Sequence, residues 1–84
     1  MARRTEPGKT VTLRFRVEKS QIAYVRFVLE GYEGLAIQSS DPKSSLISWE
    51  VPASLLDEAL RVAAALRAET GLELLEQKNP TDRS

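Results

Sequence analysis

The sequence predicts an α+β sandwich of order β-α-β-β-α-β, and three observations carry that expectation. Apolar and polar residues alternate over Thr10 to Val17 and again over Ser45 to Val51, the period of half-buried strands. Apolar residues recur every three and four positions over 21–32 and 55–70, the period of helices packed on one face. Each helical run is followed by Gly-Leu (Gly34-Leu35, Gly71-Leu72), which suits a left-handed residue past a helix end with a leucine folded back beneath it.

In the first strand Val11, Leu13, Phe15 and Val17 point one way, and Thr10, Thr12, Arg14 and Arg16 the other. Ser20 is placed to cap the first helix through its hydroxyl. The helix buries Ile22, Val25, Val28, Leu29 and Tyr32 and ends at Gly34. Gly31, one turn earlier, either weakens that turn or admits another backbone. Leu35-Ala36-Ile37 then starts a short strand, and Ser39 to Ser44 carries turn chemistry. The third strand sets Ile47, Trp49 and Val51 on one side, and Pro52 closes it. Ser54 and Asp57 resemble a capping box with Asp in place of Glu. The second helix shows a stripe of Leu55, Leu56, Ala59, Leu60, Val62, Ala63 and Leu66, and Leu72-Glu73-Leu74 begins the last strand.

Right-handed crossovers place both helices on one face of a four-stranded antiparallel sheet of order 4-1-3-2. That is the ferredoxin-like, split β-α-β sandwich. The domain is expected to occupy residues 10–76. Residues 1–9 and 77–84 are polar and proline-containing, and are expected to be disordered tails that bury too little to offset the entropy of ordering.

With 84 residues the chain has room for one domain. No apolar run approaches the roughly 20 residues that span a bilayer, and Thr5-Glu6-Pro7-Gly8-Lys9 stands where a signal peptide would have its apolar core. The expectation is a cytoplasmic protein without a membrane partner. The chain has no cysteine, which removes disulfides, thiol catalysis and the usual zinc sites. It also has no histidine, the commonest general base and transition-metal ligand. A protein with no catalytic role, no cofactor and no metal is the reading. Twelve acidic residues balance twelve basic ones, so no global field draws the chain to nucleic acid.

Tyr24, Arg26, Glu30, Tyr32 and Glu33 are candidates for a polar pocket where the first helix meets the hairpin. The plainer reading packs Tyr32 at the helix end and leaves Arg26 and Glu30 as a surface pair. Ser40 and Asp41, in the serine-rich turn, are candidate contact residues. Gly31 and Gly34 do not suit a phosphate cradle, because a helix ends there and turns its carbonyls to the loop.

On the open sheet face the pattern places Thr12, Arg14 and Arg16 beside Leu46, Ser48 and Glu50, with Ala36, Gln38, Glu73 and Leu75 at the edges; the arginines are expected to pair with Glu50. Phe15 and Trp49 fall on the helix side, so this face lacks the aromatic platform on which RNA bases stack. A domain this small buries only about 60% of its unfolded surface, and its edge strands are templates for pairing. A homodimer is therefore expected, seeded by Leu46, Ala36 and Leu75.

The run "YVRFVLEGYEGLAI", with "VPASLLDEALRVAAALRAETGLELLE" downstream, resembles a family of small uncharacterised bacterial domains. In that family a tyrosine-led helix ends in an aromatic-acidic-glycine corner before a short hairpin, and Tyr24, Phe27, Glu30, Tyr32, Glu33, Gly34 and Ala36 carry the match. The resemblance covers most of residues 11–76 and implies no activity. In topology alone the chain is similar to ACT-type regulatory domains, which bind amino acids at dimer interfaces; their glycine-containing turn after the first strand is replaced here by Glu18-Lys19-Ser20-Gln21. The functional expectation is a non-enzymatic binding or regulatory module that dimerises and holds a small molecule or protein partner. The alternative is a nucleic-acid-binding accessory domain using Arg14 and Arg16.

Overall fold

A computed structural model describes residues 9–41 and 43–79. Strand β1 (Thr10–Arg16) leads into helix α1 (Lys19–Glu30), then the hairpin of β2 (Ile37–Ser40) and β3 (Leu46–Pro52). A single 3-10 turn (Ala53–Leu55) precedes helix α2 (Leu56–Thr70), and β4 (Glu73–Lys78) closes the sheet. The strands lie in the order β2-β3-β1-β4, all neighbours antiparallel, which is the expected 4-1-3-2 arrangement. Among the described residues no helix is long and apolar enough to cross a membrane.

The parity expected of the two central strands holds. Val11, Leu13 and Phe15 on β1 are buried with Ile47, Trp49 and Val51 on β3, and they share one cluster with Val25 and Leu29 of α1 and Ala59, Val62, Ala63 and Leu66 of α2. Phe15 and Trp49 are 1% and 0% exposed, their ring centroids 4.7 Å apart and tilted by 57°. Such a pair contributes about 0.5–1.5 kcal/mol beyond its burial.

Helix ends differ from the expectation. Ser20 does not cap α1: the N-cap position is Glu18, whose carbonyl accepts from Gln21 N–H at 2.8 Å, so Ser20 stands inside the first turn. Ser54 and Asp57 form no capping box either. The chain leaves Pro52 through the 3-10 turn, which holds Ser54, and Leu55 takes the N-cap position of α2 without a side-chain bond. Asp57 and Glu58 act on the first turn through charge, opposite the helix dipole.

At its C-terminus α1 stops at Glu30, earlier than the apolar stripe suggests, and Tyr32 lies beyond it, 43% exposed. Gly31 N–H bonds the Val28 carbonyl and Tyr32 N–H the Leu29 carbonyl, both at 3.0 Å, tightening the last turn. A separate turn follows, closed by Leu35 N–H on the Tyr32 carbonyl at 3.0 Å, with Gly34 at φ +76° in its third position. Gly34 is left-handed as expected, but in this turn rather than at the helix cap. Gly71 does cap α2, at φ +78°, its N–H on the Arg67 carbonyl. Leu35 and Leu72 are both buried.

The extra turn delays β2 and reverses its faces. The strand begins at Ile37 rather than Leu35 and includes Ser39 and Ser40, which the sequence assigned to the turn. Ile37 stands opposite Glu50 and Gln38 opposite Trp49. Opposed residues share a side of the sheet, so Ile37 is out, 72% exposed, and Gln38 is in, where its Oε1 accepts from Trp49 Nε1 at 3.1 Å. Ala36 packs half-buried against the core instead of lying on the open face.

On β4 the register with β1 shifts between Arg14 and Phe15, where Leu75 is the extra residue of a bulge. The strand also runs on to Lys78, so Gln77 and Lys78, expected in a tail, pair with Leu13 and Thr12. Backbone pairing needs no aliphatic side chain. Lys9 likewise belongs to the fold through its carbonyl, which accepts from Ala53 N–H at 3.0 Å. The remaining parts of the expected tails, 1–8 and 80–84, lie outside the described residues, as does Pro42 of the hairpin turn.

Candidate functional site

The corner between α1 and β2 walls a cleft of about 420 Å³. Gly34 supplies bare backbone, Ala36, Ile37 and Pro52 supply apolar surface, and Lys9, Thr10 and Glu50 complete the lining. The Glu50 carboxylate is held by Thr12 Oγ1, which lies 3.1 Å from each of its oxygens. Glu50 brings a carboxylate to an otherwise largely apolar wall that Lys9 also lines.

Two further clefts run along the flank between α1 and β2. One, about 200 Å³, is lined by Arg26, Leu29, Glu30, Ala36, Ile37 and Gln38. The other, about 340 Å³, is lined by Lys19, Ile22, Ala23, Arg26, Ser40 and Asp41. Arg26 belongs to both. The helix therefore runs antiparallel to the strand, Lys19 beside Asp41 and Glu30 beside Ala36.

Of the residues singled out, Arg26 shares one flanking cleft with Glu30 and the other with Ser40 and Asp41. Arg26 Nε lies 3.3 Å from Glu30 Oε2, both side chains being largely exposed, which is the plain surface pair. Asp41 folds onto its own turn, Oδ1 accepting from Lys43 N–H at 2.9 Å. Three candidates line none of these clefts. Tyr24 crosses to α2, where its hydroxyl donates to Glu69 Oε1 at 2.8 Å, and this bond and the carboxylate's charge raise the phenol's pKa above 10.0. Tyr32 contributes its carbonyl to the corner turn, and Glu33 is exposed in that turn. Ile37, Pro52 and Lys9 were not foreseen; an exposed isoleucine ahead of three polar residues is a weak signal, and the other two carry none.

On the open sheet face the expected pairing of arginines with Glu50 is not formed. Arg16 Nη2 instead meets Glu73 Oε1 of β4 at 3.2 Å, and Arg14 makes no ion pair among the described residues. Arg14 borders a hollow of about 280 Å³ with Ser39, Ser44, Leu46 and Ser48. No three His, Cys, Asp or Glu side chains converge as metal ligands among the described residues.

Residues 15–70 match the family described as Domain of unknown function (DUF4911). The chain belongs to the DUF4911 family. That match spans α1, β2, β3 and α2 and includes Gly34, Ala36, Ile37, Glu50 and Pro52, so most of the corner cleft is family territory; Lys9, Thr10 and all of β4 lie outside it. That description assigns the domain no function. Comparison with curated proteins and with solved structures finds no match.

Proposed function

We propose that this DUF4911 domain is a non-enzymatic binding module of the bacterial cytoplasm that self-associates and takes a small molecule at the α1–β2 corner. The observation that supports it is the corner cleft itself: about 420 Å³, largely apolar-walled, with the Glu50 carboxylate, hydrogen-bonded to Thr12, and Lys9 in its lining. Binding sites for small molecules combine these features at about 300–1,000 Å³. The Glu50 carboxylate, with Lys9 also on the wall, favours a ligand that carries an amine on a short apolar body. A catalytic role has less support, because the chain lacks histidine and cysteine and the perturbed phenol of Tyr24 lies between the helices. The bacterial setting rests on the resemblance carried by the first helix and its corner, and the cytoplasmic one on the lack of a membrane-length apolar run in the sequence.

The test is a thermal-shift screen of small amines and zwitterions against the wild-type chain and an Ile37→Asp variant. A class of ligand that raises Tm for the former and not the latter is expected. No shift with any member at millimolar concentration overturns the ligand half of the proposal, and a strict monomer by sedimentation at micromolar protein overturns the self-association half. The nucleic-acid reading has less to stand on: Phe15 and Trp49 are inside, and Glu50, Glu73 and Glu76 share the face with Arg14 and Arg16. Salt-dependent RNA binding lost on Arg14→Ala and Arg16→Ala is the result that restores it.

A further inference from the structure

The sheet has two edges, and they are not equivalent. On β4 the bulge at Leu75 breaks the register and blunts the strand as a template. On β2 the register is unbroken over all four residues. The outward backbone groups of β2 have no neighbouring strand among the described residues, and Ile37 at its start is the most exposed large hydrophobic of the fold.

The flank of α1 that borders this edge carries Lys19, Ala23, Arg26 and Glu30. Lys19 makes no ion pair among the described residues, and Glu30 uses only Oε2 on Arg26. Lys19 stands at one end of the flank, where it shares a cleft with Asp41, and Glu30 stands at the other, where it also meets Arg26. A two-fold axis reverses one copy against the other, so such a flank complements itself: Lys19 of each copy meets Glu30 of its mate, and the small Ala23 near the centre lets the helices approach.

We infer that a second copy of this chain docks on the β2–α1 flank, pairing β2 with β2 antiparallel into an eight-stranded sheet. The inference rests on the self-association reading and assigns its interface. Side-chain parity restricts the register, since opposed residues must share a face and the axis must therefore pass a residue, not the space between two. Lys19 and Glu30 are equidistant from the helix midpoint between Tyr24 and Val25, and Arg26, within a turn of that point, shares one cleft with Gln38 and the other with Ser40, which places the axis at Ser39. Gln38 then faces Ser40 of the other copy on the helix side, while Ser39 faces its own twin on the open side.

Two experiments test this with the full chain. In sedimentation, Lys19→Glu and Glu30→Lys singly are expected to weaken the dimer about tenfold or more, two symmetric attractions becoming repulsions, and the double reversal is expected to restore it. In the cysteine-free background, Ser39→Cys is expected to give a disulfide-linked dimer on mild oxidation, whereas Glu76→Cys on β4 is not. A wild-type dimer indifferent to the charge reversals, or linked through position 76 and not 39, overturns this interface and leaves self-association standing. A wild-type monomer overturns both.

Discussion

The indole N–H of Trp49 donates to Gln38 Oε1 at 3.1 Å, and this bond accompanies the reversal of the edge strand, with the amide inside and Ile37 in water. Trp49 is fully buried, so its one donor needs an acceptor. Gln38 supplies it at a cost, because its own Nε2 is buried without a partner among the described residues. Flipping the amide does not help, since an indole only donates.

Gln38→Leu is expected to cost about 1–3 kcal/mol, the penalty of a stranded buried donor, offset in part by loss of the orphaned amide nitrogen. In a Trp49→Phe background the same change is expected to cost less. Urea denaturation of the four proteins reads the coupling; equal costs in both backgrounds would show that the bond contributes nothing.

The three glycines near the helix ends separate by backbone angle. Gly34 and Gly71 sit at φ +76° and +78°, and a Cβ at either meets nothing within 4 Å. Alanine there is expected to cost about 1–2 kcal/mol through backbone conformation alone. Gly31 is right-handed at φ −73°, its Cβ position 3.3 Å from the Val28 carbonyl oxygen. Gly31→Ala is expected to be close to neutral, with thermal denaturation ranking it well above the other two.

Tyr24 and Glu69 couple the helices in a pH-dependent way. The hydrogen bond to Glu69, then its charge, raise the folded pKa above 10.0, so the native state holds the proton more tightly than the unfolded chain. The contribution is complete below pH 10.0 and is lost as pH rises through the higher folded value. In a Tyr32→Phe background, phenolate absorbance should show Tyr24 ionising later in the native protein than in urea. Glu69→Gln should bring that titration back toward the ordinary value; an unchanged midpoint would exclude Glu69 as the cause.

Two isoleucines test the sheet's sidedness. Ile47 is buried opposite Phe15, and its truncation to alanine is expected to cost about 2–5 kcal/mol. Ile37→Ala, at a dilution where the chain is monomeric, is expected to stay within about 0.5 kcal/mol. Comparable losses would put Ile37 in the core and undo the assignment of its cleft.

Much of the fold was legible because its strongest elements repeat one pattern over many residues. Seven residues of β1 and seven of β3 alternate without interruption, and fifteen residues of α2 keep a single stripe. Of the site, the surface pair of Arg26 and Glu30 was legible, whereas the cleft with Ile37, Glu50 and Pro52 was not. Its walls come from α1's exit, β2 and the end of β3, and no local pattern relates them.

The sequence by itself determined the order of elements, the common interior of β1 and β3, and the two left-handed glycines, since each follows from side-chain period or from the cost of positive φ. Only the tertiary structure decided the sidedness of β2, the bulge in β4, and the choice of Glu73 over Glu50 as the partner of Arg16. Four residues are too few for alternation to set a face. There the extra turn after α1 set the register, which leaves Gln38 inside against the buried indole and Ile37 in water.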